Sequence, residues 1–251
     1  MFVVTGGGSG IGRALAQSLA MRGKQVLIIG RRPDALTETA SFSPLISVCC
    51  ADITSQQDRQ DIMSYLPDIQ LEGLIHNAGI IEPVNLLGTI NEADWKKAMA
   101  TNLDAPLFLS QLLLPRLAQA RVLHIGSGVA HFPVAGWTAY CVSKAALFML
   151  TQCWQLESKQ TAFASVMPGI IDTDMQAFIR QCKFMDTEKI EFFKMLKRDG
   201  RLIAAETVAL FLSWLLLDLD RETYVSREWD IYDTAHHQSW LVKPHCVPHW
   251  E

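Results

Sequence analysis

Short apolar runs alternate with longer stretches of helical periodicity from the first residue to about residue 169. "MFVVTG" (1–6) reads as a strand stopped by glycine. "SGIGRALAQSLAMRG" (9–23) reads as a helix with its apolar residues on one face and its end marked by Gly23. The alternation continues through strand "KQVLIIGRR" (24–32), short helix "PDALTETAS" (33–41), strand "LISVCCADIT" (45–54), helix "SQQDRQDIMSYLP" (55–67) and strand "LEGLIHNAG" (71–79). One long helix or two abutting ones follow over 89–119, where Thr89 and Glu92 have the spacing of a capping box. Strand "ARVLHIGSG" (120–128), helix "TAYCVSKAALFMLTQCWQLESK" (138–159) and a sixth strand, "TAFASVMPG" (161–169), complete the pattern. The strands are almost continuously apolar, as expected of a parallel sheet covered by helices on both faces. The expected fold is α/β, a doubly wound parallel sheet in one domain over 1–235, with a tail over 236–251.

After Gly169 the alternation stops. Residues 173–203, including "DMQAFIRQCKFMDTEKIEFFKMLKRDG", read as a helical insertion between a strand and the next helix. Such a segment is either a lid over a ligand cleft or a helical surface hairpin, and the lid is the preferred reading.

Composition narrows the function classes. With 251 residues, 49% of them apolar and 19% charged, the chain has the make-up of a protein with a large interior. A net charge of −4 offers neither a nucleic-acid surface nor a polybasic membrane patch. The most apolar late run, "VALFLSWLLLDLD" (208–220), is too short to span a bilayer and is interrupted by Ser213, so it reads as a buried helix. The opening "MFVVTGGGSG" lacks a basic start and a long apolar run, so a cytoplasmic location is expected. Cys49, Cys50, Cys141, Cys153, Cys182 and Cys246 show no paired spacing and are expected to be reduced thiols.

Two clusters carry chemistry. The first is Thr5-Gly6-Gly7-Gly8-Ser9-Gly10-Ile11-Gly12, which follows a strand and opens a helix, the context a dinucleotide-binding turn requires. Glycines let the backbone approach a pyrophosphate, and the helix start offers unpaired N–H groups. The second is "HIGSGVAHFPVAGWTAYCVSK" (124–144), with Ser127 in a Gly-Ser-Gly break, Tyr140 thirteen residues on and Lys144 four further. Residues four apart on a helix share a face, about 5–6 Å apart at Cβ. Tyr140 and Lys144 therefore point the same way, and an ammonium there is expected to lower the phenol's pKa.

The spacing Thr5-Gly6-x-x-x-Gly10-x-Gly12 resembles the short-chain dehydrogenase/reductase family, a Rossmann-fold family. So do Asp52 after the third strand, the turn Asn77-Ala78-Gly79, Asn102, the set Ser127, Tyr140 and Lys144, and Pro168-Gly169 with Thr173, all in the family's order over residues 1–175. The resemblance implies that Tyr140 protonates a carbonyl oxygen. It implies that Lys144 tunes Tyr140 and grips the nicotinamide ribose, that Ser127 orients the carbonyl, and that Asn102 holds a water linking Lys144 to solvent. It also implies cofactor contacts from Gly6, Ser9, Gly10, Ile11, Gly12, Asp52, Ile53, Asn77, Ala78, Gly79, Tyr140, Lys144, Pro168, Gly169, Ile171 and Thr173. A homo-oligomer, dimer or tetramer, built through the helices near 91–119 and 138–158 is expected on the same ground.

The second strand ends Ile28-Ile29-Gly30-Arg31-Arg32, with no acid where an NAD site generally carries one and two guanidiniums suited to a phosphate. NADP(H) is therefore the expected cofactor, with Arg31 foremost and Arg32 either a second contact or a solvated charge. "GWTAYCVSKAAL", "PGIIDTDMQAFIR" and "WDIYD" look like the family's sepiapterin reductase and benzil reductase group. That implies reduction of a small ketone or dicarbonyl, with Met175 and Asp230 as substrate contacts, although "YVSREWD" lacks the usual glycine and Asp230 is equally read as an acidic strand end. Trp137 either lines the substrate pocket or braces the helix start. The tail holds His236, His237, His245, Cys246 and His249, but their spacing fits no closed zinc site. No metal is expected there, and Trp240 or Trp250 is expected to pack. Two other functions stay open: an NAD(P)-dependent alcohol dehydrogenase of another substrate class, and a non-catalytic NAD(P)-sensing regulatory protein. The intact Ser127, Tyr140 and Lys144 weigh against the sensor, which has no use for an acid and its tuning cation.

Overall fold

The computed structural model describes residues 1–248. The chain runs β1 (Phe2–Thr5), α1 (Gly10–Met21), β2 (Val26–Gly30), α2 (Pro33–Ala40), β3 (Ile46–Cys50), α3 (Gln56–Tyr65), β4 (Gly73–His76), α4 (Glu92–Met99), α5 (Ala105–Leu113) and β5 (Arg121–Ile125). It continues through α6 (Thr138–Glu157), β6 (Ala162–Met167), α7 (Asp174–Ile179), α8 (Thr187–Arg198), α9 (Ala205–Leu217), α10 (Arg221–Val225), β7 (Trp229–Asp230) and α11 (His237–Trp240). All seven strands are parallel, in the order β3-β2-β1-β4-β5-β6-β7. This order brings the C-terminal ends of the strands, and the turns that follow them, along one edge of the sheet.

Successive strand residues face opposite layers. Val4, Ile28, Ile75 and Leu123 pack toward α1 and α9, while Val3, Leu27, Leu74 and Val122 pack toward α3 and α5. The run at 208–220 lies largely in α9, whose residues are mostly buried, and Ser213 meets Ser18 of α1 at 2.8 Å between hydroxyls. No helix among the described residues is long and apolar enough to cross a membrane.

The structure sharpens the sequence reading in three places. Over 89–119 two helices abut, as one of the two readings had it, with α4 and α5 joined by a π-helical turn, Ala100–Asp104. The helix there is capped by Asn91, whose side-chain oxygen accepts from the Asp94 N–H at 2.8 Å, whereas the Thr89 hydroxyl donates to the Leu86 carbonyl at 2.9 Å. The third is β7, which bears out the reading of Asp230 as a strand end; it has two residues and so no period of its own, and exists by pairing Trp229 with Val166 and Asp230 with Met167. The start of the tail is part of the core. Trp240 is buried and donates to His236 Nδ1 at 2.8 Å, and His236 stacks on Phe211 at 5.0 Å between ring centres. No group of three or more metal-ligating side chains occurs among the described residues; His249 and Trp250 lie outside them.

Two histidines are sealed between the sheet and the helices. His76 and His124 stack at 5.0 Å, and each has one ring nitrogen bonded, to the Ser110 and Thr151 hydroxyls at 2.8 Å. Burial pushes His124 down to about 3, and burial together with the neighbouring His124 holds His76 well below 6.5. Between pH 6.5 and about 3 the unfolded chain therefore binds protons that the fold refuses, and stability falls as pH drops through that window. Each ring contributes a slope of up to about 1.4 kcal/mol per pH unit. Urea unfolding of wild type and His124→Gln at several pH values checks this. The variant should show the shallower dependence below pH 6.5. Equal slopes would exclude His124 as a source.

Candidate active site

The glycine turn is built against the turn after β4. Thr5 Oγ1 accepts from the N–H groups of Asn77 and Ala78, both at 3.1 Å, and Asn77 Nδ2 donates to the carbonyls of Thr5 and Gly6 at 2.9 and 3.2 Å. A Cβ on Gly12 would lie 2.3 Å from the Gly6 carbonyl oxygen, so only glycine lets α1 pack this closely on its own turn. Gly10 opens α1 at φ +51°, a conformation glycine adopts freely. Ser9 precedes it without a side-chain cap, which leaves the first-turn N–H groups of α1 for a ligand. The Ser9 hydroxyl instead accepts from Arg32 Nη2 at 3.0 Å.

Ser127 caps a one-turn helix, Gly128–Ala130, just past β5. Tyr140 and Lys144 both project from the first turns of α6 and are 9% and 5% exposed. The ammonium of Lys144 donates to the Ile125 carbonyl at 2.7 Å and stands 5.6 Å from the centre of the Tyr140 ring. Burial lowers Lys144 to about 8. Burial also pushes the Tyr140 phenol up to about 12, against a hydrogen bond from Ser127 that pulls the other way. The expected lowering of the phenol's pKa by Lys144 is thus reversed in the protein by itself. The ammonium is desolvated, turned toward a backbone carbonyl and set over the ring face, and loss of water around the phenol outweighs it. Asn102 lies in the π-helical turn, with its amide spent on the backbone N–H and carbonyl of Ile80 at 2.9 and 2.8 Å and on Ser143 Oγ at 3.0 Å.

A single cleft of about 1100 Å³ follows the strand ends from β3 to β7. Every site residue expected from the sequence lines it except Gly12, which is packed behind the glycine turn, and Asn102, which is buried behind Lys144 and Gly79. Arg31 and Arg32 lie after β2; Arg31 is 60% exposed with Asp52 at 3.8 Å. Gly169, at φ +84°, sits where a Cβ would crowd Ile203, Ile231 and the Tyr232 hydroxyl, and that hydroxyl accepts from the Ile170 N–H at 3.0 Å. Thr173 caps α7, and Asp230 accepts from the Tyr232 N–H at 3.0 Å. Trp137 lines the cleft, stacks on Phe193 of α8 at 5.9 Å and meets the Tyr140 ring in a T-shaped contact. Sequence reading missed His131, Phe132 and Lys189 as lining residues. His131 and Phe132 stand close behind Ser127, but nothing in their spacing marks them.

The uncapped amides of α1, the glycine turn and the two cations after β2 fit a nicotinamide dinucleotide, and the cleft leaves room beyond it for a small substrate. The family profile described as short chain dehydrogenase matches residues 1–183. The benzil reductase ((S)-benzoin forming) of Bacillus subtilis is 31% identical over 241 residues, covering 92% of this chain and 98% of that protein. The sepiapterin reductase of Rattus norvegicus is 31% identical over 255 residues, covering 92% of this chain and 95% of that one. A solved short chain dehydrogenases/reductase of Saccharomyces cerevisiae superposes with a TM-score of 0.89 at 25% identity, over 95% of this chain and 98% of that one. Matched so widely in sequence and in sheet architecture, the chain belongs to the short-chain dehydrogenase/reductase family of oxidoreductases.

Proposed function

We propose that this chain is an NADPH-dependent carbonyl reductase of small ketones or dicarbonyls, with Tyr140 as proton donor. The reading rests chiefly on the meeting of Ser127, Tyr140 and Lys144 in one cleft with the glycine turn, where burial keeps the Tyr140 phenol high, at about 12. A phenol that keeps its proton across the neutral range can give it to a developing alkoxide. The reduced dinucleotide, when bound, supplies the hydride. The Ser127 hydroxyl orients the carbonyl oxygen toward Tyr140. The Lys144 ammonium stabilises the phenolate left after proton transfer and holds the nicotinamide ribose. Asn102 fixes the π-helical turn to Ile80 and Ser143, which steadies the start of α6.

The glycine turn, Asp52, Ile53, the turn 77–79 and Pro168, Gly169, Ile171 and Thr173 hold the dinucleotide, and Arg31 with Arg32 takes a 2′-phosphate. Apolar walls from Val134, Trp137, Met175, Ile179 and Phe193, with Asp230 at the β7 end, favour a flat apolar carbonyl. The benzil and sepiapterin reductases among the relatives support the dicarbonyl class. The test is consumption of reduced dinucleotide with benzil, sepiapterin and a panel of monoketones. Turnover of the dicarbonyls, faster with NADPH than NADH, is expected; no turnover with any of them would sink the reading.

Residues 173–203 act as a lid in this proposal. Met175, Ile179, Phe192 and Phe193 of α7 and α8 line the cleft, and Phe193 stacks on Trp137. Bound dinucleotide and ketone should protect the segment from limited proteolysis several-fold. Cleavage at equal rates with and without ligands would leave it a static hairpin. The homo-oligomer finds support on α6, where Val142, Met149 and Leu156 are exposed at seven-residue intervals on one face. Light scattering reads the oligomeric state, and a monomer at working concentration would exclude it.

A further inference from the structure

We propose that Glu228, working through His131, is a positioning residue for Ser127, an inference that rests on the reductase reading above. Ser127 stands between Gly126 and Gly128, the two residues that restrain a backbone least. A hydroxyl that must meet a carbonyl oxygen from such a loop needs a hold from outside, because small misplacements of a reacting group cost rate heavily. Within the loop the tie to the Ser127 side chain is long: the Val129 N–H reaches Ser127 Oγ at 3.4 Å.

The outside hold is a chain of three side chains. The hydroxyl of Ser165, buried on β6, donates to Glu228 Oε1 at 2.9 Å. Glu228 Oε2 lies 2.6 Å from Nε2 of His131, the residue that ends the one-turn helix capped by Ser127. The Glu228 side chain is only 10% exposed. A Cβ on Gly126 would fall 2.9 Å from Ser165 Oγ and 3.4 Å from Glu228 Oε1, so the carboxylate lies directly against the peptide that leads into Ser127. The loop is therefore braced on both sides of Ser127, at Gly126 and at His131. The His131 ring also meets the Phe148 ring of α6 edge-on at 5.0 Å, which ties the brace to the helix that carries Tyr140. Glu228 is itself held in place by β7: Trp229 pairs with Val166 of β6, and its indole N–H donates to the Tyr224 carbonyl at 2.9 Å.

The experiment is a double-mutant cycle on the full chain. His131→Ala and Glu228→Gln are made in the wild-type and Ser127→Ala backgrounds. Ketone kcat and KM, NADPH affinity by fluorescence, and amide hydrogen exchange over residues 126–131 are measured. His131 is 42% exposed, so its truncation leaves the core intact, and Glu228→Gln keeps the buried volume. Each single variant should lower kcat by about tenfold while NADPH affinity stays put, and should cost no more than about twofold once Ser127 is alanine. Exchange over 126–131 should quicken in both. The same loss in both backgrounds, or unchanged exchange, would overturn the positioning role. A wild type that reduces no ketone would instead overturn the reductase reading, and the exchange data then decide the brace alone.

Discussion

Tyr140→Phe is expected to cut ketone turnover by about 10²-fold or more while NADPH affinity stays near wild type, because the variant keeps the ring and loses only the donated proton. The ring packs edge-on against Trp137 and faces the Lys144 ammonium, contacts that phenylalanine retains. Turnover within a few-fold of wild type would remove Tyr140 from the mechanism. The ionisation behaviour sharpens the test. With the phenol at about 12 and Lys144 at about 8, Tyr140 stays protonated well above neutrality, whereas Lys144 loses its charge as pH rises through about 8. An alkaline fall of kcat/KM for NADPH centred near 8 should therefore report Lys144 in the free enzyme, and it should persist, at the lower rate, in Tyr140→Phe. If the limb disappears in that variant, the assignment to Lys144 is wrong.

Removing the cations after β2 should shift dinucleotide preference away from NADPH. A charge-assisted guanidinium–phosphate contact contributes roughly 1.5–3 kcal/mol, about a ten- to hundredfold preference for NADPH. Arg31→Ala should weaken NADPH by that order and NADH little. The structure adds Arg32 to the expectation, because this exposed side chain is bonded to Ser9 at the glycine turn. Arg32→Ala should act in the same direction, and the double variant should lose the preference. Gly30→Asp should go further by repelling a 2′-phosphate and offering the NADH ribose an acceptor. A Cβ there would sit 3.3 Å from Leu36 Cδ2, so Leu36 must shift slightly. The measurement is kcat/KM for both dinucleotides in each variant. A wild type that favours NADH, or a ratio unmoved by both arginine substitutions, would mean that the phosphate site is assigned wrongly.

The chemistry of the site was legible because its signals are local. Strands β1 to β6 announce themselves by short apolar runs, and the turn at Gly6–Gly12 by glycines between a strand and a helix. Tyr140 and Lys144 share a face through helical geometry alone. The π-helical turn at Ala100–Asp104 and the Asn91 cap escaped the same reading, since helical periodicity runs through the first and Thr89 offers the competing pattern.

What the sequence determined by itself, then, is the set of elements, the dinucleotide-type turn and the spacing of Ser127, Tyr140 and Lys144, all of which act over a few residues of chain. Only the tertiary structure decided that Asp230 ends a strand, because two residues become a strand only beside β6. Only folding reversed the direction of the Tyr140 pKa shift, because burial belongs to the assembled cleft and not to the four residues that link Tyr140 to Lys144. Likewise only the sheet order brought Glu228 to His131 and Ser165, across 97 and 63 residues of chain, since hydrogen bonds and desolvation depend on distance in space and not along the sequence.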